Sequence, residues 1–202
     1  MRVLTIDTAT GAAAIGLVDG DTAVDAEPVR DATAAQHVLP LVDALLAERD
    51  LGVDGVDRIV VGRGPGSFTG LRIGMATAIG LAAPRGTPLV GVATTAALRH
   101  AAGMDAIAVI DARRGEVFAE GPGVELGAYA PADLAQRVPA ASLLIGDGAT
   151  RYREVFAHCS IPADDDPRHV PAAAALAALA EEGAPATPLY IRAPDAIPTA
   201  ER

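Results

Sequence analysis

The chain has no lysine, no asparagine and no tryptophan among its 202 residues. The first gap removes the most chemistry. Without lysine there is no Walker phosphate loop, no Schiff-base or pyridoxal catalysis and no lysine general base. Cysteine occurs once, at Cys159, which excludes an internal disulfide and any metal cluster built on several cysteines. Aromatic residues supply only 3%, so the core must be made of Val, Leu, Ile and Ala. The 16 basic residues are all arginine and face 26 acids. The resulting formal charge of −10 argues against autonomous binding to RNA or DNA, whose affinity comes mostly from cations on phosphates. No apolar run reaches about 18 residues, and Asp7 arrives too early for a signal peptide. The expectation is a soluble, cytoplasmic protein with no membrane contact.

Alanine fills 45 positions, a bias read here as base composition. The length suits one large domain or two small ones. Short apolar runs at Arg2–Asp7, 12–18 and 22–29 read as three strands, with a hairpin turn at Asp19-Gly20-Asp21. A helix is expected over 33–49, bent or broken by Pro40. The run at 57–62 reads as a central strand, followed by a glycine-rich loop and a helix over 67–83 that Pro84 stops. A strand at Leu89–Val92 and a helix at Thr94–Ala102 complete this half. The order implies a mixed sheet flanked by helices. At Met104 the pattern restarts, with strands at 106–111, 115–120 and 143–146, an irregular stretch at 121–138 and an alanine-rich helix over 170–182. The second half reads as an eroded copy of the first. Residues 1–103 carry a formal −3 and residues 104–202 carry −7, and Asp164-Asp165-Asp166 reads as a solvated loop.

The densest motif is Gly62-Arg63-Gly64-Pro65-Gly66-Ser67-Phe68-Thr69-Gly70-Leu71-Arg72-Ile73-Gly74, at a strand-to-helix junction where backbone N–H groups can cradle an anion. From Gly64 the glycines run one residue too long for the dinucleotide fingerprint, and Pro65 and Thr69 exclude a nucleophile elbow around Ser67. Ser67 either caps the helix or helps to bind an anion. Gly70, Gly74, Ala78 and Ala82 recur every four residues beside the ridge Leu71, Met75 and Ile79. Interior glycine costs about 1 kcal/mol against alanine, so close packing must repay it, against either this domain or another helix. Asp7-Thr8-Ala9-Thr10 ends the first strand, and Asp7 and Thr8 could serve phosphate and metal or could cap the turn. His37 lacks a partner at i+4, where Leu41 stands, so it makes no helical metal pair. His100, His158 and His169 show no ligand spacing either.

Several of these stretches together resemble the bacterial TsaB (YeaZ) family: Ile6-Asp7-Thr8-Ala9-Thr10, His37 with Leu39-Pro40, the 62–74 motif, Gly91-Val92-Ala93-Thr94, Ile110-Asp111-Ala112-Arg113 with Gly115-Glu116-Val117-Phe118, and Tyr190-Ile191-Arg192. The resemblance runs from residue 1 to about 120, with an isolated match near 190. It implies an actin-like (ASKHA) α/β fold of two RNase H-like halves, 1–103 and a shortened 104–202. It also implies a non-catalytic scaffold for a TsaD-like catalytic subunit. With a TsaE-like ATPase, that pair supports threonylcarbamoyl transfer to N6 of the tRNA adenosine following the anticodon. The implied interface takes in His37, Leu41, Gly70, Arg72, Gly74, Met75, Ala78 and Ile79, and in the partner's absence a second copy would dock there as a homodimer. No cofactor of its own is expected. ATP or ADP is expected at most at the partner junction, with Asp7, Thr8, Gly64, Gly66 and Ser67 as candidate contacts, and tRNA is left to the partner. The family's catalytic subunit has a helical His-x-x-x-His metal site, whereas this chain has His37 followed by Leu41. Two other readings remain open, a stand-alone actin-like ATPase or glycoprotease-like enzyme and a nucleotide-sensing adaptor.

Overall fold

A computed structural model of the chain describes residues 1–30 and 34–192. The first strand, β1 (Arg2–Asp7), is apolar on both faces and becomes the centre of a five-stranded sheet. β2 (Ala14–Asp19) and β3 (Thr22–Asp25) follow as an antiparallel meander, while β4 (Arg58–Gly62) and β5 (Leu89–Val92) add on the other side in parallel. The order is β3-β2-β1-β4-β5. Alternation along the strands splits the core in two. Leu4, Ile6, Ile59 and Val61 pack beneath α1 (Val38–Ala47) and α2 (Phe68–Ala82). Val3 and Val60 face α3 (Thr94–Ala102) and α6 (Ala173–Ala178).

The second sheet repeats the plan with one strand fewer. β6 (Ile107–Arg113), β7 (Glu116–Gly121) and β8 (Val124–Tyr129) form the meander, β9 (Leu144–Ile145) pairs in parallel with β6, and the order is β8-β7-β6-β9. α4 (Pro131–Arg137) and α5 (Asp147–Arg151) complete it. α3 is wedged between the sheets: Ala97 belongs to the first core and Leu98 to the second. This is the actin-like α/β architecture of two RNase H-like halves, with the second shortened.

Four expectations change. Pro40 does not break α1, because it occupies the helix's third position, where its missing N–H has no intrahelical partner to lose. The interruption comes earlier, at a 3₁₀ turn over Ala34–His37, and Thr33 lies outside the described residues. Residues 121–138 are not irregular. Gly121-Pro122-Gly123 turns a hairpin, with Gly123 at φ 73°, and Pro131 opens α4 at the first helical position, which suits its fixed φ. The alanine-rich helix spans only Ala173–Ala178, since Pro171 holds Val170 extended at φ −125° and the chain leaves helical geometry after Leu179. The strand expected over 22–29 ends at Asp25, with Val29 returning only as an isolated bridge to Ala13.

Candidate functional site

The β1–β2 turn and the loop leaving β4 meet under the start of α2. Asp7 is buried at the end of β1, and its carboxylate accepts the Ala9 N–H at 2.8 Å and the Thr94 hydroxyl at 2.8 Å. The same hydroxyl accepts the Gly64 N–H at 3.2 Å, and the Thr94 N–H returns a bond to the Gly64 carbonyl at 2.8 Å. Burial pushes the Asp7 carboxyl up to about 6; the two hydrogen bonds oppose that rise and the nearby Asp147 charge adds to it. Glycine is required at 62, since a Cβ there would overlap the Asp7 carboxylate.

The expected site residues Asp7, Thr8, Gly64, Gly66 and Ser67 do converge, and several of their polar groups bond within the chain. The Ser67 N–H donates to the Ala9 carbonyl at 2.7 Å, and a Cβ on Gly66 would overlap that same carbonyl. The Thr8 hydroxyl donates to the Gly70 carbonyl at 2.7 Å. Ser67 caps α2, its hydroxyl accepting the Gly70 N–H at 3.2 Å.

α2 itself turns the small-residue stripe inward, which corrects part of the expected interface. A Cβ on Gly70 would overlap the Thr8 carbonyl and one on Gly74 the Thr8 hydroxyl. Met75, Ala78 and Ala82 lie in the core with Leu4 and Ile6 of β1 and Ile59 and Val61 of β4. The glycines are therefore repaid within the chain, by the close approach of α2 to the β1–β2 turn. Of the eight expected interface residues, Gly70, Gly74, Met75 and Ala78 are buried and Leu41 is half-buried, while His37, Arg72 and Ile79 reach solvent.

The outward face of the helix pair carries a cluster that helical spacing did not reveal. Leu39 is 56% exposed, Ile79 50% and Phe68 39%. The Arg72 guanidinium lies 3.7 Å over the Phe68 ring, and the Tyr190 ring stands 5.4 Å from that ring with its hydroxyl accepting from Arg72 Nε at 3.4 Å. Phe68 was legible only as a large apolar residue one position past a cap. Tyr190 comes from a segment far along the chain.

A second missed residue joins the two halves. Asp147 stands between Gly146 and Gly148 at the start of α5, and its carboxylate accepts the Gly11 N–H at 2.8 Å and the Asp111 N–H at 3.1 Å. Burial raises its pKa and these two bonds oppose the rise. Asp111 itself pairs with Arg113 at 3.1 Å and Arg151 at 3.5 Å. His169, buried, accepts the Gly146 N–H at 3.0 Å, and burial lowers its pKa, which suits the neutral ring that this bond needs. The signal in the sequence was Gly-Asp-Gly after a strand.

Among the described residues, no three His, Cys, Asp or Glu side chains are arranged to hold a metal ion, and no helix is long and apolar enough to cross a membrane. The Asp164–Asp166 run is indeed a surface loop, in which Asp166 caps a 3₁₀ turn and pairs with Arg168. A cavity of about 310 Å³ lies elsewhere, lined by Ile15, Asp25, Glu27, Arg30, Asp165 and Val170 among others.

Comparison with known proteins adds three kinds of likeness. Residues 31–127 match the family model of TsaD, tRNA N6-adenosine threonylcarbamoyltransferase. An uncharacterised Mycobacterium tuberculosis protein is 39% identical over 203 residues, covering 98% of this chain and 95% of that one. The tRNA threonylcarbamoyladenosine biosynthesis protein TsaB of Bacillus subtilis is 32% identical over 160 residues, covering 76% of this chain and 67% of its own length. Among solved structures, YeaZ from Pseudomonas aeruginosa aligns at a TM-score of 0.71 and 28% identity, over 94% of this chain and 99% of that one.

Proposed function

The chain belongs to the TsaB (YeaZ) family, and from that premise we propose that it serves tRNA threonylcarbamoyladenosine synthesis as a non-catalytic subunit. It binds and supports a TsaD-like catalytic subunit, which works with a TsaE-like ATPase to transfer the threonylcarbamoyl group to N6 of the adenosine following the anticodon. The observation that carries this reading is the self-filled loop. The Ser67 N–H goes to the Ala9 carbonyl and Gly66 abuts it, so the groups that would hold a phosphate hold the chain's own turn. Any ATP or ADP is assigned to the junction with the partner rather than to residues 64–67. With a net charge of −10, the chain leaves the tRNA and the metal to that partner, in the cytoplasm.

The docking face is the outward side of α1 and α2, centred on Leu39, Phe68, Arg72 and Ile79. These are apolar and aromatic groups with an arginine, the composition enriched at the centres of protein interfaces. In the partner's absence the same face pairs two copies. The test is copurification with the TsaD-like subunit. Ile79→Asp should abolish it while the chain keeps its melting temperature. A complex that survives Ile79→Asp and Phe68→Asp would show that this face is wrongly assigned. ATP turnover by the purified chain alone would overturn the non-catalytic reading.

A further inference from the structure

The two halves meet at a carboxylate that bonds to both of them. Asp147 belongs to the second half, yet one of its oxygens accepts the N–H of Gly11, in the β1–β2 turn of the first half, at 2.8 Å. Its other oxygen accepts the N–H of Asp111, near the end of β6, at 3.1 Å. The Gly11 donor lies in the β1–β2 turn of the first sheet, and the Asp111 donor lies within β6 of the second. Glycines permit the approach. A Cβ on Gly11 would stand 3.3 Å from the Asp147 carboxylate, and one on Gly148 would stand 2.8 Å from the Ile110 carbonyl carbon, so α5 could not lie so close to β6. Gly146 holds φ 103°, which favours glycine, and its N–H is fixed by His169.

We propose that the β1–β2 turn and strand β6 together form a receptor for a small carboxylate, and that its resident ligand is the chain's own Asp147, which latches the halves together. Two backbone N–H groups converging on one carboxylate make charge-assisted hydrogen bonds. Removing the side chain leaves both donors without their acceptor in a largely buried seam. The charged groups around the seam are mixed. Asp7 from β1 and Asp111 from β6 repel an anion there, while Arg113 from β6 and Arg151 from α5 attract it. The site therefore selects a small monoanion that reaches both N–H groups over a bulky or highly charged one. The inference does not rest on the partner-binding role, since the latch acts within one chain.

Asp147→Ala tests it by removing the resident carboxylate and leaving the receptor. Its melting temperature should fall by about 5 °C or more, and the Gly11 and Asp111 amides should exchange with deuterium about tenfold faster than in the unaltered chain. Formate at about 100 mM should then raise the melting temperature of Asp147→Ala, while leaving the unaltered chain and a surface control, Asp164→Ala, unchanged. Amides that stay protected in a folded Asp147→Ala chain overturn the latch. Equal effects of formate on all three chains overturn the receptor. If Asp147→Ala does not fold, Asp147→Asn replaces it, because asparagine offers a single acceptor oxygen. One of the two amides should then lose protection, and full protection of both overturns the proposal.

Discussion

Each half of the molecule sends a parallel strand into a glycine-containing loop and then a helix, and the two junctions do different work. After β4, the loop at residues 62–67 folds back on its own half: Ser67 donates to Ala9, and the fifteen-residue α2 buries a stripe of Gly and Ala against the same turn. After β9, the junction is Gly146-Asp147-Gly148, the helix is five residues long, and the carboxylate reaches out of its half to Gly11. The acids ending the central strands diverge in parallel. Asp7, sealed under the long helix, is satisfied by Ala9 and Thr94, whereas Asp111 is paired with two arginines that are each more than half exposed.

The contrast can be broken most violently at α2. Ala78→Asp should unfold the chain, because Ala78 is 0% exposed and an unpaired carboxylate there has no solvent and no partner; the expected loss exceeds about 4 kcal/mol by urea denaturation. Ile79→Asp, one position along on the 50% exposed side, should shift stability by less than about 0.5 kcal/mol. Next comes Gly74→Val, which puts methyl groups where the Thr8 hydroxyl sits and should cost about 2–3 kcal/mol in the same assay.

A smaller effect is read by pH at Asp7. The Asp7 carboxyl is raised to about 6 in the fold, while an unfolded chain titrates it near 4. Between these values the folded state binds more protons, so this group's contribution to stability falls as pH rises from about 4 to about 6. The full shift corresponds to roughly 2–3 kcal/mol. Denaturation of the unaltered chain and Asp7→Asn at pH 5 and pH 7 should show the variant relatively more stable at pH 7 than at pH 5. The smallest effect is expected at Arg113, whose side chain is mostly exposed. Arg113→Ala should cost less than about 1 kcal/mol, because Arg151 still faces the Asp111 carboxylate. A loss as large as that of Gly74→Val would mean that the second half's turn is also a packed one.

How much could be read in advance followed the range of the forces involved. The central strands β1, β4 and β6 were legible because their apolar runs end in acid or glycine, and the Ser67 cap because it depends on residues three apart. The hairpin and helix within residues 121–138 were missed, because Gly and Pro mark turns as well as irregular chain. The candidate loop was legible as a strand-to-helix junction, but the bond from Ser67 to Ala9 that packs it joins residues 58 positions apart. Tyr190 beside Phe68, and Asp147 beside Gly11, lie still further apart along the chain.

By itself, then, the sequence determined the chemistry this protein lacks, the strand–helix order of its first half, the repeat of that order after residue 103 and the family resemblance carried by the 62–74 motif. These rest on composition and on interactions a few residues long. The tertiary structure decided which way the faces point. A stripe at helical spacing tells that one side of α2 is smooth without telling what lies against it. Only the register of β1 and β4, which carries Thr8 under Gly70 and Gly74, turned that stripe inward and left Phe68, Arg72 and Ile79 facing outward. The seam at Asp147 has the same origin, since a carboxylate can join two halves only after both have folded around it.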